Sequence, residues 1–247
     1  MEYVRSSKAR PPLPEGPFLV VGLARSGVAA ARALKALGQA VFGVDAGEPE
    51  GLDVLRESGI NFETSVPGVD RLDGVATVIK SPGVPKSAEV IAEAHRRGLV
   101  VMGELELGWR MFEAPVVAIT GTNGKTTTTE LTAHLFRSSG RPVSAAGNVG
   151  HPVCEVAMDA LAGEDVGTLV CECSSFQLED SIEFSPEVAA FLNLGPDHLD
   201  RHGDLDSYLE AKRKIFKNQV DGDVAVLNAD DPASRESATD ASVIRFT

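Results

Sequence analysis

Val116–Thr129 reads VVAITGTNGKTTTT: an apolar run (Val116, Val117, Ala118, Ile119), a turn set by Gly121 and Gly124, then Lys125 and Thr126 at the head of a helical stretch. The apolar run reads as a buried strand, and the glycines let the backbone turn tightly with no side chain in the way. Successive backbone N–H groups and a helix N-terminus attract phosphate oxygens, a lysine neutralises the outer phosphates, and a hydroxyl can ligate Mg²⁺. The segment therefore reads as an ATP site made by Gly121, Thr122, Asn123, Gly124, Lys125, Thr126 and Thr127. Its spacing is G-x-x-G-K-T, and Ile119 stands where the longer G-x-x-x-x-G-K-[ST] loop has its first glycine, so the loop is shorter than in most P-loop NTPases.

Outward from this loop, strand and helix alternate on both sides. Before it come strands at 18–22, 40–44, 75–80 and 99–101 with helices at 27–37, 51–58 and 87–97, and 104–114 forms a bridge. After it come a helix at 125–138, strands at 142–146, 167–171, 187–192 and 223–227, and helices at 152–161 and 206–218. Such alternation predicts an α/β protein with a Rossmann-like parallel-sheet first domain, 1–113, and a P-loop-type α/β second domain, 114–247, with ligands at the carboxyl ends of the strands. No internal repeat or low-complexity tract stands out.

Composition narrows the function classes. The chain has 247 residues, is 43% hydrophobic and 24% charged, and carries a net charge of −13, without the basic stripe of a nucleic-acid binder. No apolar run reaches the roughly 18 residues of a membrane span. The N-terminal MEYVRSSKARPPLPEGP lacks the apolar core of a secretory signal, so a cytoplasmic address is expected. Cys154, Cys171 and Cys173 are odd in number and lack zinc spacing, and read as reduced, buried thiols.

In the first domain Gly22-Leu-Ala24-Arg-Ser26-Gly27 precedes a helix, and Asp45 ends the next strand. This is the layout of a dinucleotide fingerprint with Ala24 in place of the middle glycine; packing alone selects the same small-residue turn, and both readings stand. Ser81-Pro82-Gly83 falls on the same sheet edge. In the second domain Glu172 ends an apolar strand beside the phosphate loop, the place of a Mg²⁺-ligating acid. Cys171 and Cys173 alternate with it and point the other way as core residues. Asn193–His202 packs two acids, two imidazoles and a guanidinium into a loop after another strand, as a site or as a solvated loop. Lys212 sits within the helical stripe of Tyr208, Leu209, Ile215 and Phe216. Either its stem snorkels to water, or burial lowers its pKa and leaves a nucleophilic amine able to take up CO₂ as a carbamate.

Taken together these residues resemble the Mur ligases, the cytoplasmic amino-acid-adding enzymes of peptidoglycan synthesis, over nearly the whole chain. GTNGKTT at 121–127 is similar to the loop shared by all of them and by folylpolyglutamate synthases. ECSSFQLE at 172–179 resembles the element of the branch that adds D-glutamate to UDP-N-acetylmuramoyl-L-alanine. The resemblance implies an ATP-dependent amide-forming ligase working through an acyl phosphate. It implies catalytic roles for Lys125, Glu172, His198 and Lys212, and Mg²⁺ held at Thr126, Glu172, His198 and Lys212, the last as a carbamate. It places the UDP-sugar at Ser26, Asp45, Ser81, Pro82, Gly83, Asn148 and His198. The partners implied are UDP-N-acetylmuramoyl-L-alanine, D-glutamate and ATP, with no nucleic acid and no membrane, and the chain is expected to be a monomer. The family's third domain is missing and its central domain is incomplete here, so a fragment or a truncated product is expected. The alternatives are a UDP-sugar and ATP-binding module without catalysis, another Mur or folylpolyglutamate synthase-like ligase, or a plain P-loop NTPase or kinase.

Overall fold

In the computed structural model, which describes Ser6 and residues 8–247, the chain divides into two compact units. Residues 1–5 and 7, which begin the N-terminal stretch read above for a signal, lie outside the described residues. One unit comprises Arg10–Phe112 with Pro152–Leu161, and the other Ser6, Lys8 and Ala9 with Glu113–His151 and Ala162–Thr247. The alternation of strand and helix along the chain puts the helix at 152–161 in the second domain. The structure packs it instead with Arg10–Phe112, an assignment made by tertiary contacts that no local pattern encodes.

The first unit is built from β1 (Phe18–Val21), α1 (Arg25–Ala36), β2 (Val41–Val44), α2 (Asp53–Glu57), β3 (Asn61–Glu63), β4 (Thr77–Lys80), α3 (Glu89–Arg96), β5 (Val100–Gly103) and α4 (Glu104–Arg110). Its strands form one parallel sheet in the order β3-β2-β1-β4-β5, with Phe18 opposite both Val41 and Thr77. The core lies on both faces, as a parallel sheet requires. On one face Phe18, Val20 and Ile79 meet the alanines and Leu34 of α1; on the other Leu19, Val21 and Val78 meet Val90, Ile91 and Ala94 of α3.

Close approach at the β1–α1 turn needs Gly27. A Cβ there would stand 1.8 Å from the Gly22 carbonyl oxygen and 2.7 Å from Ser81 Oγ. The carbonyl belongs to backbone and cannot yield. Gly27→Ala is therefore expected to destabilise this unit by about 3 kcal/mol or more, read as a lowered denaturant midpoint. A midpoint within experimental error of the wild type would contradict this packing.

The second unit comprises β6 (Val116–Thr120), α5 (Lys125–Ser138), β7 (Val143–Gly147), β8 (Thr168–Glu172), α7 (Ser175–Glu179), β9 (Val188–Phe191), α8 (Leu199–His202), α9 (Leu205–Arg213), β10 (Val224–Asn228), α10 (Pro232–Arg235) and β11 (Ser242–Phe246); α6 (Val153–Leu161) leaves it between β7 and β8. The parallel order is β11-β10-β9-β6-β8-β7, which places the carboxyl ends of β6, β7 and β8 side by side. Val117, Ile119, Val188, Ala190, Val226 and Phe246, with Thr128 and Thr132 of α5, line an open apolar groove of about 350 Å³.

The structure adds two strands that the sequence pattern does not announce, β3 and β11. It also ends the helix expected at 206–218 at Arg213, where the chain tightens into a 3-10 turn over Lys214–Phe216. All three cysteines are free and buried. Among the described residues no helix is long and apolar enough to cross a membrane.

Candidate functional site

β6 delivers the chain into the Gly121–Gly124 turn, and Gly124, at φ +83°, is the N-cap of α5. As a glycine it has no side chain to cap the first-turn amides, which leaves a helix N-terminus fit for an anion. The turn is braced from the segment that follows β9. Asn193 accepts the Thr122 N–H on its backbone oxygen (2.9 Å) and the Asn123 N–H on Oδ1 (2.9 Å), and its Nδ2 donates to the Asn123 carbonyl (3.1 Å). Lys125 Nζ donates to the Thr122 carbonyl at 2.9 Å, so the ammonium lies along the loop it serves.

Glu172 ends β8, paired in register with Gly147 on one side and Ile119 on the other, and is 2% exposed. Its Oε2 accepts the Thr126 hydroxyl at 2.7 Å and its Oε1 the Asn148 amide at 3.0 Å. The approach depends on Gly147, at φ +118°, where a Cβ would lie 2.1 Å from the Glu172 carbonyl oxygen. Thr126, Asn148 and Glu172, separated along the sequence, are thus one bonded cluster at the head of α5.

A hydroxyl beside a carboxylate is a hard-oxygen donor set. Among the described residues no group of three or more His, Cys, Asp or Glu is placed to hold a metal. A cation here would have to complete its shell with water and phosphate oxygens, which is how Mg²⁺ is usually bound beside a nucleotide. The residues present fit that ion.

Lys212, on α9, is 1% exposed, and its Nζ donates to the Gly121 carbonyl at 2.8 Å while lying 4.5 Å from the Tyr208 ring centre. The stem does not lead its charge to water, which removes the snorkelling alternative. Burial first, and the Lys125 charge second, lower its pKa to about 7. The tyrosine that underlies it also touches the loop, Tyr208 OH lying 3.3 Å from Thr122 Oγ1.

His198 is placed differently. It is the N-cap of α8 in the left-handed region (φ 51°), its ring half-exposed, 3.5 Å from Asp197 Oδ2 and 4.9 Å from the Phe176 centre. Phe176 belongs to α7. Ser174 and Gln177 close a capping box there, a signature the S-x-x-Q spacing displays. Against Phe176 the structure assembles a cluster that the sequence did not disclose. His202 stacks on it at 5.3 Å with Nε2 3.0 Å from Ser175 Oγ, and the Arg201 guanidinium lies 4.5 Å over the ring. Burial lowers the His202 pKa.

In the first unit Ser81 Oγ donates to the Gly22 carbonyl at 2.6 Å, and Asp45 accepts the amides of Leu23 (2.6 Å) and Gly47 (2.8 Å). Ser26 lies in the first turn of α1, whose N-cap Ala24 gives no side-chain cap. Ser26, Asp45 and the Ser81-Pro82-Gly83 turn therefore meet at one sheet edge, with part of the Asp45 carboxylate engaged by the turn itself. Asn148 and His198 belong to the other unit.

The chain thus has two parallel-sheet units, one with a short glycine turn facing a buried acid. The family description "Mur ligase middle domain" matches residues 119–247, and the chain belongs to the Mur ligases. It is 43% identical over 237 residues to a UDP-N-acetylmuramoylalanine–D-glutamate ligase of Pelotomaculum thermopropionicum, covering 93% of this chain and 51% of that protein. With the protein of the same name from Geotalea uraniireducens identity is 45% over 221 residues, covering 87% and 48%. The chain thus spans about half the length of the curated relatives it matches. Among solved structures, a UDP-N-acetylmuramate:L-alanyl-gamma-D-glutamyl-meso-diaminopimelate ligase from Neisseria meningitidis superposes with a TM-score of 0.62 at 17% identity over 93% of this chain and 77% of that one. A UDP-N-acetylmuramate-alanine ligase from Thermotoga maritima gives 0.54 at 24% over 93% and 53%. At these identities the structures speak for the fold alone.

Proposed function

We propose that the chain is the UDP-sugar- and ATP-binding part of a ligase that adds D-glutamate to UDP-N-acetylmuramoyl-L-alanine in the cytoplasm, acting as a monomer. The observation that carries this is the single cluster of Lys125, Thr126, Asn148, Glu172 and Lys212 around the turn at 121–124. The names of the relatives supply the substrate. In this reading the acceptor carboxylate takes the γ-phosphoryl of ATP, the amine of D-glutamate attacks the acyl phosphate, and ADP and phosphate leave.

The loop amides and Lys125 hold the nucleotide phosphates, and Thr126 with Glu172 holds Mg²⁺. The ion, when bound, offsets charge on the phosphoryl group. Asn148 orients Glu172 through its amide. Ser26, Asp45 and the Ser81 turn hold the UDP-sugar, and His198 reaches the substrate or the metal from α8. Lys212, with an amine neutral near pH 7, adds to CO₂ through Nζ with loss of a proton to water, and its carbamate serves as a further carboxylate. A ¹³CO₂-treated sample is expected to show a carbamate carbon signal at mildly alkaline pH that disappears on acidification and is absent from Lys212→Ala; a wild-type sample without it removes the carbamate.

The reading as a whole is tested by ADP release from a protein of the relatives' full length. Release should require both UDP-N-acetylmuramoyl-L-alanine and D-glutamate. Release that needs neither would make the site a plain nucleotide hydrolase.

A further inference from the structure

Glu104 opens α4 and is 1% exposed. Its Oε1 accepts the Cys154 N–H at 2.6 Å in the first turn of α6, while among the described residues Oε2 has no hydrogen-bond partner. The Cys154 thiol donates back to the Glu104 backbone oxygen at 3.6 Å. One turn along α4, Gly108 has no side chain where a Cβ would come within 2.8 Å of Cys154 N, so α4 lies directly against the start of α6. The titratable groups that act on the carboxyl are Glu155 and the Cys154 thiol on α6; on the neighbouring elements, Glu106 is ion-paired with Arg110 on α4 itself, and Lys80 of β4 has its Cα opposite Gly103. From α1 the buried residues are small or apolar, with Arg25 and Lys35 exposed and Arg32 half-buried; β5 adds no charge.

We propose that Glu104 is a proton-operated latch on α6: protonated, it closes the interior over the first turn of α6, and ionised, it drives that turn open until water reaches Oε2. The geometry asks for this. A buried carboxylate with one oxygen unpartnered is costly, and the two ways to relieve it are to take a proton or to admit water. Burial, with Glu155 adding repulsion, pushes the carboxyl up to about 7, against the pull of the Cys154 and Val153 amides. The latch acts on the first turn of α6. It does not depend on the reaction proposed above.

Hydrogen exchange of the 153–161 amides in the 247-residue chain, corrected for the intrinsic pH dependence of exchange, tests it. With the carboxyl titrating at about 7 when latched and at the ordinary 4.5 when open, opening should increase about tenfold between pH 6 and pH 8. Glu104→Gln, which keeps the shape and cannot ionise, should abolish that rise. A flat wild-type profile overturns the latch whether or not the variant folds, and so does an equal rise in folded Glu104→Gln.

Discussion

Replacing Lys125 or Glu172 by alanine in a protein of the relatives' full length is expected to lower phosphoryl transfer by about a thousandfold or more. Electrostatic groups aimed at a transferring phosphoryl typically contribute several kcal/mol of barrier, and each of these residues has no substitute in the cluster. Lys125 is the cation bonded into the loop at Thr122, and Glu172 is the buried acid that accepts the Thr126 hydroxyl. Removing Glu172 also leaves the Asn148 amide without its carboxylate, so Glu172→Gln is the cleaner variant for the proposed Mg²⁺ site. A rate within tenfold of wild type for either residue, in folded protein, would take it out of the site.

Lys212→Met is expected to stabilise the second unit in CO₂-free buffer while removing function. The sign follows from burial. Lys212 keeps its proton only below a folded-state pKa of about 7, against an ordinary 10.5, so below 7 the folded state bears the whole cost of a buried ammonium. That cost fades as pH rises from 7 toward 10.5. Methionine has similar length and no charge, and gains most at neutral pH and below. The shift corresponds to about 4–5 kcal/mol, and loss of the Gly121 hydrogen bond reduces the expected gain to about 2–4 kcal/mol. Thermal unfolding at pH 6.5 and pH 10 reads it. The difference between variant and wild type should shrink at the higher pH. A variant less stable than wild type at pH 6.5 would show that the amine is held favourably as a cation.

These two expectations rest on features that differ in how openly the sequence displays them. β6, the 121–124 turn and α5 are adjacent in the chain and follow local rules of burial and glycine conformation, so the loop could be read directly. Lys212 could be read as an anomaly because α9 has a regular stripe, though only the fold shows that its amine reaches Gly121 instead of solvent. Asn193 opens the polar loop that the sequence singles out, but its bracing of Asn123 from 70 residues away could not be read locally. The Phe176 cluster was hidden for the same reason, joining Ser175 to His202 across 27 residues. β3 has three residues and β11 lies exposed at a sheet edge, so neither carries the buried apolar run that announced the other strands. The membership of α6 is decided by Gly108 and Glu104, which meet it only in the folded chain.

Calorimetric titration of the 247-residue chain with a non-hydrolysable ATP analogue and Mg²⁺ asks whether the Lys125–Thr126–Glu172 cluster holds a nucleotide. One site per chain is expected, weakened when Mg²⁺ is withdrawn and lost in Lys125→Ala. Absence of binding to the folded wild-type chain, or binding that Lys125→Ala leaves unchanged, would contradict this expectation.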